Sequence, residues 1–388
     1  MNEFINTELK LKEKHLYLLV FLSFIIISCY HLSSGLYMSS DSYRFSEWAD
    51  RLLEFNFNFF DFFSIDKDFH RPHLFFFSLP VLLVALCKVF FIGDWQFAFF
   101  LLNLLLLFLS LIIFVKCLLL IKIRPVIIAV TLPLIIISVD LLIWPRYILS
   151  DMIYAFLVVL AIFFIIKGII KKKICFLELF LITFFLLASR PSSIPVIFAI
   201  IFFIIISKHQ IFLKPKKILQ FLLVSIFFMP FVFGLMYLLI EFNFSENDKL
   251  GYLINMVKKG MIIHDRPETW VNAPANFIDV VYVYFLRFLS FFNPYADSFS
   301  VIHVIFNLTQ LCAVVISILV WLLLGYNEKD QNEIFFFIIV LSFSVAAFHS
   351  FTIIDYDWRY RFPIILPLVI FFPISLSMFL NKKIKFKY

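Results

Sequence analysis

Glycine is scarce in this chain, with seven among 388 residues, and none gathers into a run that could cradle the phosphates of a nucleotide. The same scarcity weighs against a carrier, since carriers break their helices near mid-membrane with Gly or Pro and seat charges there. Cysteine is equally uninformative as chemistry. Cys29, Cys87, Cys117, Cys175 and Cys312 each stand alone inside an apolar run, so no disulfide, CxxC pair or zinc site is read from them. Charge is thin at 15%, against 63% apolar residues. A soluble core cannot use that much apolar surface, and uninterrupted runs such as 126–143 and 194–207 read as membrane helices. No internal repeat is visible, which again argues against a carrier built from inverted halves. The segment 16–36 is long for a signal peptide and is taken as the first span.

Lysines set the topology. Clusters at Lys10/Lys12/Lys14, Lys122/Arg124, Lys167/Lys171/Lys172/Lys173, Lys208/Lys214/Lys216/Lys217 and Lys382/Lys383/Lys385/Lys387 belong on the cytoplasmic side, because short basic loops resist translocation. Spans at 16–36, 96–121, 126–143, 152–170, 174–189, 193–207, 218–241, 300–325, 334–354 and 362–380 place every cluster inside. The fold class predicted is therefore an all-α polytopic membrane protein with about ten transmembrane helices plus outer juxtamembrane helices. The count closes only if two further apolar segments, 74–92 and 278–292, lie in the outer interface without crossing. The outer face then holds residues 37–95, 144–151, 190–192, 242–299 and 355–361. Nineteen of the 26 carboxylates fall there if Asp140 and Glu241 are included, so this face is where chemistry is sought.

Its richest part is the first outer loop, where Asp41, Tyr43, Arg44 and Phe45 stand at one end and His70, Arg71, Pro72 and His73 at the other. Phe45, Trp48, Ala49, Leu52 and Leu53 recur at helical spacing while Arg44, Glu47, Asp50, Arg51 and Glu54 fill the opposite side. This predicts an amphipathic helix lying flat on the outer leaflet. Asp41 at its start has a plain explanation as a helix cap. Other outer span ends carry Arg146 and Asp151, then Arg190, then Arg359, Tyr360 and Arg361. Forked cations can hold a phosphate, and a carboxylate can take the proton from an attacking hydroxyl. Arginines at span ends also snorkel toward headgroups, which explains Arg146, Arg190, Arg359 and Arg361 without chemistry. His264, in the segment His264-Asp265-Arg266-Pro267-Glu268, sits among acids without a ligand spacing.

In order and position these pieces resemble the GT-C superfamily of membrane glycosyltransferases that use polyprenyl-phosphate sugars, within it the aminoarabinose transferase and protein mannosyltransferase type. Asp41, Arg44 and Phe45 match an acid, arginine and aromatic after the first span. Arg71-Pro72-His73-Leu74 matches a basic-Pro-Pro-Leu element, with His73 in place of the second proline. Leu149-Ser150-Asp151 matches an acid in the second outer loop, Ser189-Arg190-Pro191 a Thr-Arg-Pro-like element, and Arg359 through Pro367 a terminal Arg-Tyr-x-x-Pro element. His70 stands where the family has an acidic residue.

The resemblance implies a GT-C-like catalytic transmembrane module over residues 1–241, followed by C-terminal transmembrane helices over 300–388, while the outer loop 242–299 is assigned to acceptor selection by position alone. It implies an inverting transfer from a polyprenyl-phosphate-linked sugar to an envelope glycan, lipid or protein acceptor, at the outer face of a bacterial cytoplasmic membrane. Asp41 would be the base and Asp151 a second catalytic carboxylate. Arg71, Arg44, Arg146, Arg359 and Arg361 would hold the donor phosphate, with Tyr43, His70, Arg190, His264 and Tyr360 at the substrates. The partners are donor, acceptor and bilayer, with no nucleic acid. No metal ligand set is assigned and no cofactor is certain, although the reading leaves room for a divalent metal. Three other classes compete, one of them a purely structural membrane protein, which would have no reason to gather Asp41, Arg71, Asp151 and Arg361 on one face. A polysaccharide polymerase or ligase would carry its key basic residues in large late loops, and a lipid-linked glycan flippase would show charge or broken helices inside its spans.

Overall fold

The structure is a computed structural model that describes residues 13–64, 74–209, 255–264, 266–295, 299–324, 329–352 and 359–385. Every regular element among them is helical. Six stretches are long and apolar enough to cross a membrane: α1 (Glu13–Ser34), α5 (Trp95–Leu120), α8 (Asp151–Lys171), α12 (Val301–Leu324), α13 (Lys329–Phe351) and Phe362–Asn381, within which α14 (Phe362–Val369) is followed by α15 (Phe371–Lys385). A seventh is made if α6 (Pro125–Ile136) and α7 (Val139–Ile143), bent by 61° at their junction, count as one span. The protein is thus a multi-pass, all-α membrane protein.

Ten spans are not seen. α9 (Phe176–Ser189) has 14 residues, about 21 Å at ~1.5 Å per residue, against a hydrocarbon core of ~30 Å. The apolar helix after it, Pro191–Ile205, is also short of a span, within α10 (Ile194–His209). The expected span 218–241 lies outside the described residues.

The described residues divide into two compact units. The first takes those up to Ile197, Cys312–Leu324 and those from Phe362 onward; the second takes Phe198–Leu311 and Gly325–Arg361. In the first, α8 is the central helix and packs against α5, α9 and α14. Its buried residues, from Met152 and Ile153 through Ile165, Ile166 and Ile169, lie on every side, as a helix surrounded by others requires. α8 closes at Lys172, which takes left-handed φ 53° while the Lys173 N–H donates to the Gly168 carbonyl at 3.1 Å. α9 then runs back beside it, so the start of α8 and the end of α9 meet at the same level.

The amphipathic helix is α2 (Ser40–Glu54), which buries Phe45, Trp48, Ala49 and Leu52, four of the five positions predicted. Its cap corrects the sequence reading. Ser39, in extended backbone, accepts from the Ser42 N–H at 3.3 Å, and Ser42 Oγ accepts from the Ser39 N–H at 3.0 Å. A serine capping box therefore leaves Asp41 one turn-position inside the helix and not at its cap. After the short α3 (Phe59–Ser64), the chain enters α4 (Ser78–Phe90), which is tied to α2 at both ends. Phe77 meets Phe45 and Trp48, and Lys88 Nζ donates to Asp50 Oδ1 at 2.6 Å and to the Ser46 carbonyl at 2.9 Å. α4 has 13 residues, about 20 Å at ~1.5 Å each. At that length α4 falls short of a hydrocarbon core of ~30 Å.

In the second unit, α11 (Phe277–Phe291) packs on α13, and it too is absent from the span-length helices among the described residues. The described stretches 255–264 and 266–271 form a packed element. Val257, Ile262 and Ile263 bury against Val280, Val283 and Tyr284 of α11. Gly260 makes the closure achievable: at φ +69°, its backbone approaches so closely that a Cβ would lie 2.1 Å from the Val271 carbonyl oxygen.

Candidate functional site

Three loops predicted to be outer come together in the first unit, through backbone pairing that no side-chain pattern announces. Tyr37 and Tyr147 form an isolated parallel bridge. The Tyr37 N–H donates to the Arg146 carbonyl at 3.0 Å, the Ile148 N–H donates to the Tyr37 carbonyl at 3.4 Å, and the two rings lie 4.8 Å apart. From α5, the buried Asn103 amide donates to the carbonyls of Pro145 at 3.0 Å and Tyr147 at 2.9 Å. His31, fully buried near the end of α1, donates from Nε2 to the Leu141 carbonyl at 3.0 Å, which fixes its tautomer. Trp144 Nε1 donates to Asp140 Oδ1 at 3.3 Å. The stretch 138–151 is thus pinned beside the chain that leads into α2.

Asp41 and Arg44 sit in the first turn of α2 as an ion pair at 3.4 Å, with side chains 34% and 53% exposed in the order Asp41, Arg44. A pair this open contributes about 0–1 kcal/mol and leaves both groups within reach of substrate. Tyr43 beside them is exposed. Arg146 is half-buried, with its guanidinium 5.7 Å from the Tyr147 ring and its Nε without a protein partner.

Asp151 and Arg190 are a different kind of pair. Read separately from sequence, as a catalytic acid and a substrate ligand, they are bonded to each other, Arg190 Nη1 to Asp151 Oδ1, with Asp151 fully buried and Arg190 nearly so. Desolvation makes each dependent on the other, and removing one partner of such a pair costs about 3–5 kcal/mol. Around them the polar atoms multiply. Tyr154, one turn into α8, donates its hydroxyl to the Ser192 carbonyl at 2.7 Å. The Oγ atoms of Ser150, Ser192 and Ser193 are buried without a protein partner, as are Ser138 Oγ and His31 Nδ1 elsewhere in the unit. Each such group, if left dry, costs about 1–3 kcal/mol.

The remaining predicted residues fall in the second unit or outside the description. Tyr360 stacks on His349 at 4.2 Å, and His349 stacks in turn on Phe291 at 5.9 Å. Arg361 is buried and donates to the Asn293 carbonyl at 2.8 Å. His264 is half-buried in the packed loop, where Arg266 lies 3.4 Å from Glu268. The side chain of Arg359 and the whole of His70 and Arg71 lie outside the described residues.

Sequence reasoning missed Arg287, the most enclosed of the second unit's described arginines. It is fully buried and donates to three carbonyls, from Nε to Ser350 at 2.7 Å, from Nη1 to Met261 at 2.8 Å and from Nη2 to Thr352. Burial lowers its pKa to about 10, so it stays charged at neutral pH, while burial raises that of its neighbour Tyr284. It fastens the chain at Met261 and the end of α13 to α11. A single Arg amid the apolar residues of a helix was the only signal. The serine cluster was missed as well, although Ser150-Asp151 and Ser189-Arg190-Pro191-Ser192-Ser193 were visible as polar breaks. Among the described residues, no three His, Cys, Asp or Glu side chains form a group that could hold a metal ion. Compared with known proteins, the chain matches no family model, no curated protein and no solved structure.

Proposed function

We propose that this protein is an integral membrane glycosyltransferase that moves a sugar from a polyprenyl-phosphate donor to an envelope glycan, lipid or protein acceptor. Transfer would take place on the outer face of a bacterial cytoplasmic membrane. The observation that carries the reading is the Tyr37–Tyr147 bridge, because it joins the start of α2, with its accessible Asp41, to the loop that bears Arg146 and Asp151. A partly exposed carboxylate on one side of that pairing, and a guanidinium and a buried ion pair on the other, support a shared site. The order of motifs from Asp41 to Pro367 resembles GT-C enzymes, and this resemblance supplies the substrate class.

In this mechanism the acceptor hydroxyl attacks the anomeric carbon as its proton passes to Asp41. The bond from that carbon to the phosphate oxygen breaks, and the electron pair leaves with the polyprenyl phosphate. Arg44 and Arg71 steady the departing phosphate, with Arg146 as a further donor. Asp151, held by Arg190, keeps the site in place and takes no proton. No step is routed through a metal.

The test is transfer from a short-chain polyprenyl-phosphate sugar by protein in nanodiscs. Asp41→Asn should lower the rate by ~10²- to 10⁴-fold, the usual contribution of a positioned base, with the protein still inserted and folded. Near-native transfer by this variant would move the base elsewhere. Movement of the lipid-linked sugar between leaflets, with the donor intact, would favour a flippase. Orientation is tested by labelling single cysteines placed at Asn56 and Asp94, which should react from outside, against one at Lys172, which should not.

A further inference from the structure

Among the described residues, many buried hydroxyls bond within their own helices. Ser110 donates to the Leu106 carbonyl at 2.7 Å, Thr131 to Ile127 at 2.9 Å and Ser189 to Leu186 at 2.7 Å. Ser150, Ser192 and Ser193 do not follow this habit, nor do Ser28 and Ser138, but only the first three stand together in sequence with the Asp151–Arg190 pair. Arg190 is extended and Pro191–Ser193 form a single 3-10 turn between α9 and α10, so the helical ladder is broken where two of these serines stand. Tyr154 fixes that turn through the Ser192 carbonyl and leaves the serine hydroxyl unengaged. All three Oγ atoms are enclosed, and all belong to residues adjoining or within three positions of the Asp151–Arg190 pair.

We propose that the shared end of α8 and α9 is a binding site for a neutral, hydroxyl-rich group, a saccharide ring, recognised by Ser150, Ser192 and Ser193 beside the Asp151–Arg190 pair. A serine hydroxyl both donates and accepts, which matches another hydroxyl better than it matches a charged group. The buried pair is already neutral in sum, so a free anion gains little by entering. The choice of a saccharide among polyols rests on the glycosyltransferase reading, whereas the hydroxyl-binding site itself does not. The site's polar groups are pre-ordered by the turn, so little ordering is needed when a ring binds.

The experiment titrates wild-type protein in nanodiscs with methyl glycosides of hexoses and pentoses, with inorganic phosphate, and with short-chain polyprenyl phosphate bearing or lacking a sugar. At least one saccharide-bearing probe should bind, and Ser192→Ala/Ser193→Ala should weaken it about tenfold, the loss expected for two modest hydrogen bonds. Bare polyprenyl phosphate should bind equally to both proteins. Thermal melting accompanies each titration, and Ser150→Ala is read in its place if the double variant does not fold. The proposal is overturned if no saccharide-bearing probe binds wild type, or if the serine variants bind saccharide as wild type does, since internal water would then satisfy these hydroxyls. If glycosides bind and are lost with the serines while neither lipid binds, the donor reading fails and the hydroxyl site stands.

Discussion

Asp41 with Arg44 and Asp151 with Arg190 are the same two residue types, in the same unit, each with its acid in the first turn of a helix. They differ in what surrounds them. The first pair lies open on α2, at 3.4 Å and partly solvated, and the second is enclosed between α8 and α9. Water weakens the first pair and leaves its carboxylate available to a substrate. Without water the second pair cannot be parted cheaply, so it serves as a structural member. Accessibility, and not residue type, separates the group that can do chemistry from the one that holds the site together.

The strongest way to break that comparison is to part the enclosed pair. Asp151→Ala or Arg190→Ala should each cost about 3–5 kcal/mol, read as lost thermal stability of the detergent-purified protein. Asp151→Leu combined with Arg190→Met should recover most of that loss, because no lone charge remains buried. Equal damage in the double and single variants would show that hydrogen bonding, and not charge, holds this end.

Arg287 sharpens the contrast, as an enclosed cation bonded to carbonyls. Arg287→Met should strip donors from Ser350, Met261 and Thr352, a loss of roughly 3 kcal/mol if each carbonyl costs about 1. Limited proteolysis should then cut near 255–271 much faster than in wild type. Asn103→Ala should cost about 1–3 kcal/mol and, by loosening the loop it holds, should raise KM for transfer more than it lowers kcat. The smallest effects belong to α2. Ser39→Ala should cost about 1 kcal/mol, as loss of a cap does, while Asp41→Asn should change stability by less than about 0.5 kcal/mol. A larger stability loss at Asp41 than at Ser39 would return the carboxylate to a structural role.

The α2 face was readable because burial on one side of a helix imposes a 3.6-residue period, and Phe45, Trp48, Ala49 and Leu52 follow it. The cap was misread because Ser39 and Asp41 are both good capping residues, and only backbone geometry decides which one stands at the boundary. Spans α1, α5, α8, α12 and α13 were visible as long apolar runs, whereas α9 looked sufficient by hydropathy and is short in fact, ending at Arg190-Pro191. Arg190 and Asp151 both drew attention as outer charges. Their pairing did not show, since 39 residues separate them and nothing local encodes it.

By itself the sequence determined that this chain lives in a membrane as helices and that α2 is amphipathic. These are consequences of composition and period, which act through local contacts with lipid and water. Only the tertiary structure decided that Tyr37 pairs with Tyr147, that Asp151 is buried with Arg190 while Asp41 is partly exposed beside Arg44, that Arg287 fastens α11 to the loop and to α13, and that three serines near Arg190 are enclosed. Each of these depends on which distant segments pack together. Burial, which turns an ordinary aspartate into either a tool or a strut, is a property of that packing.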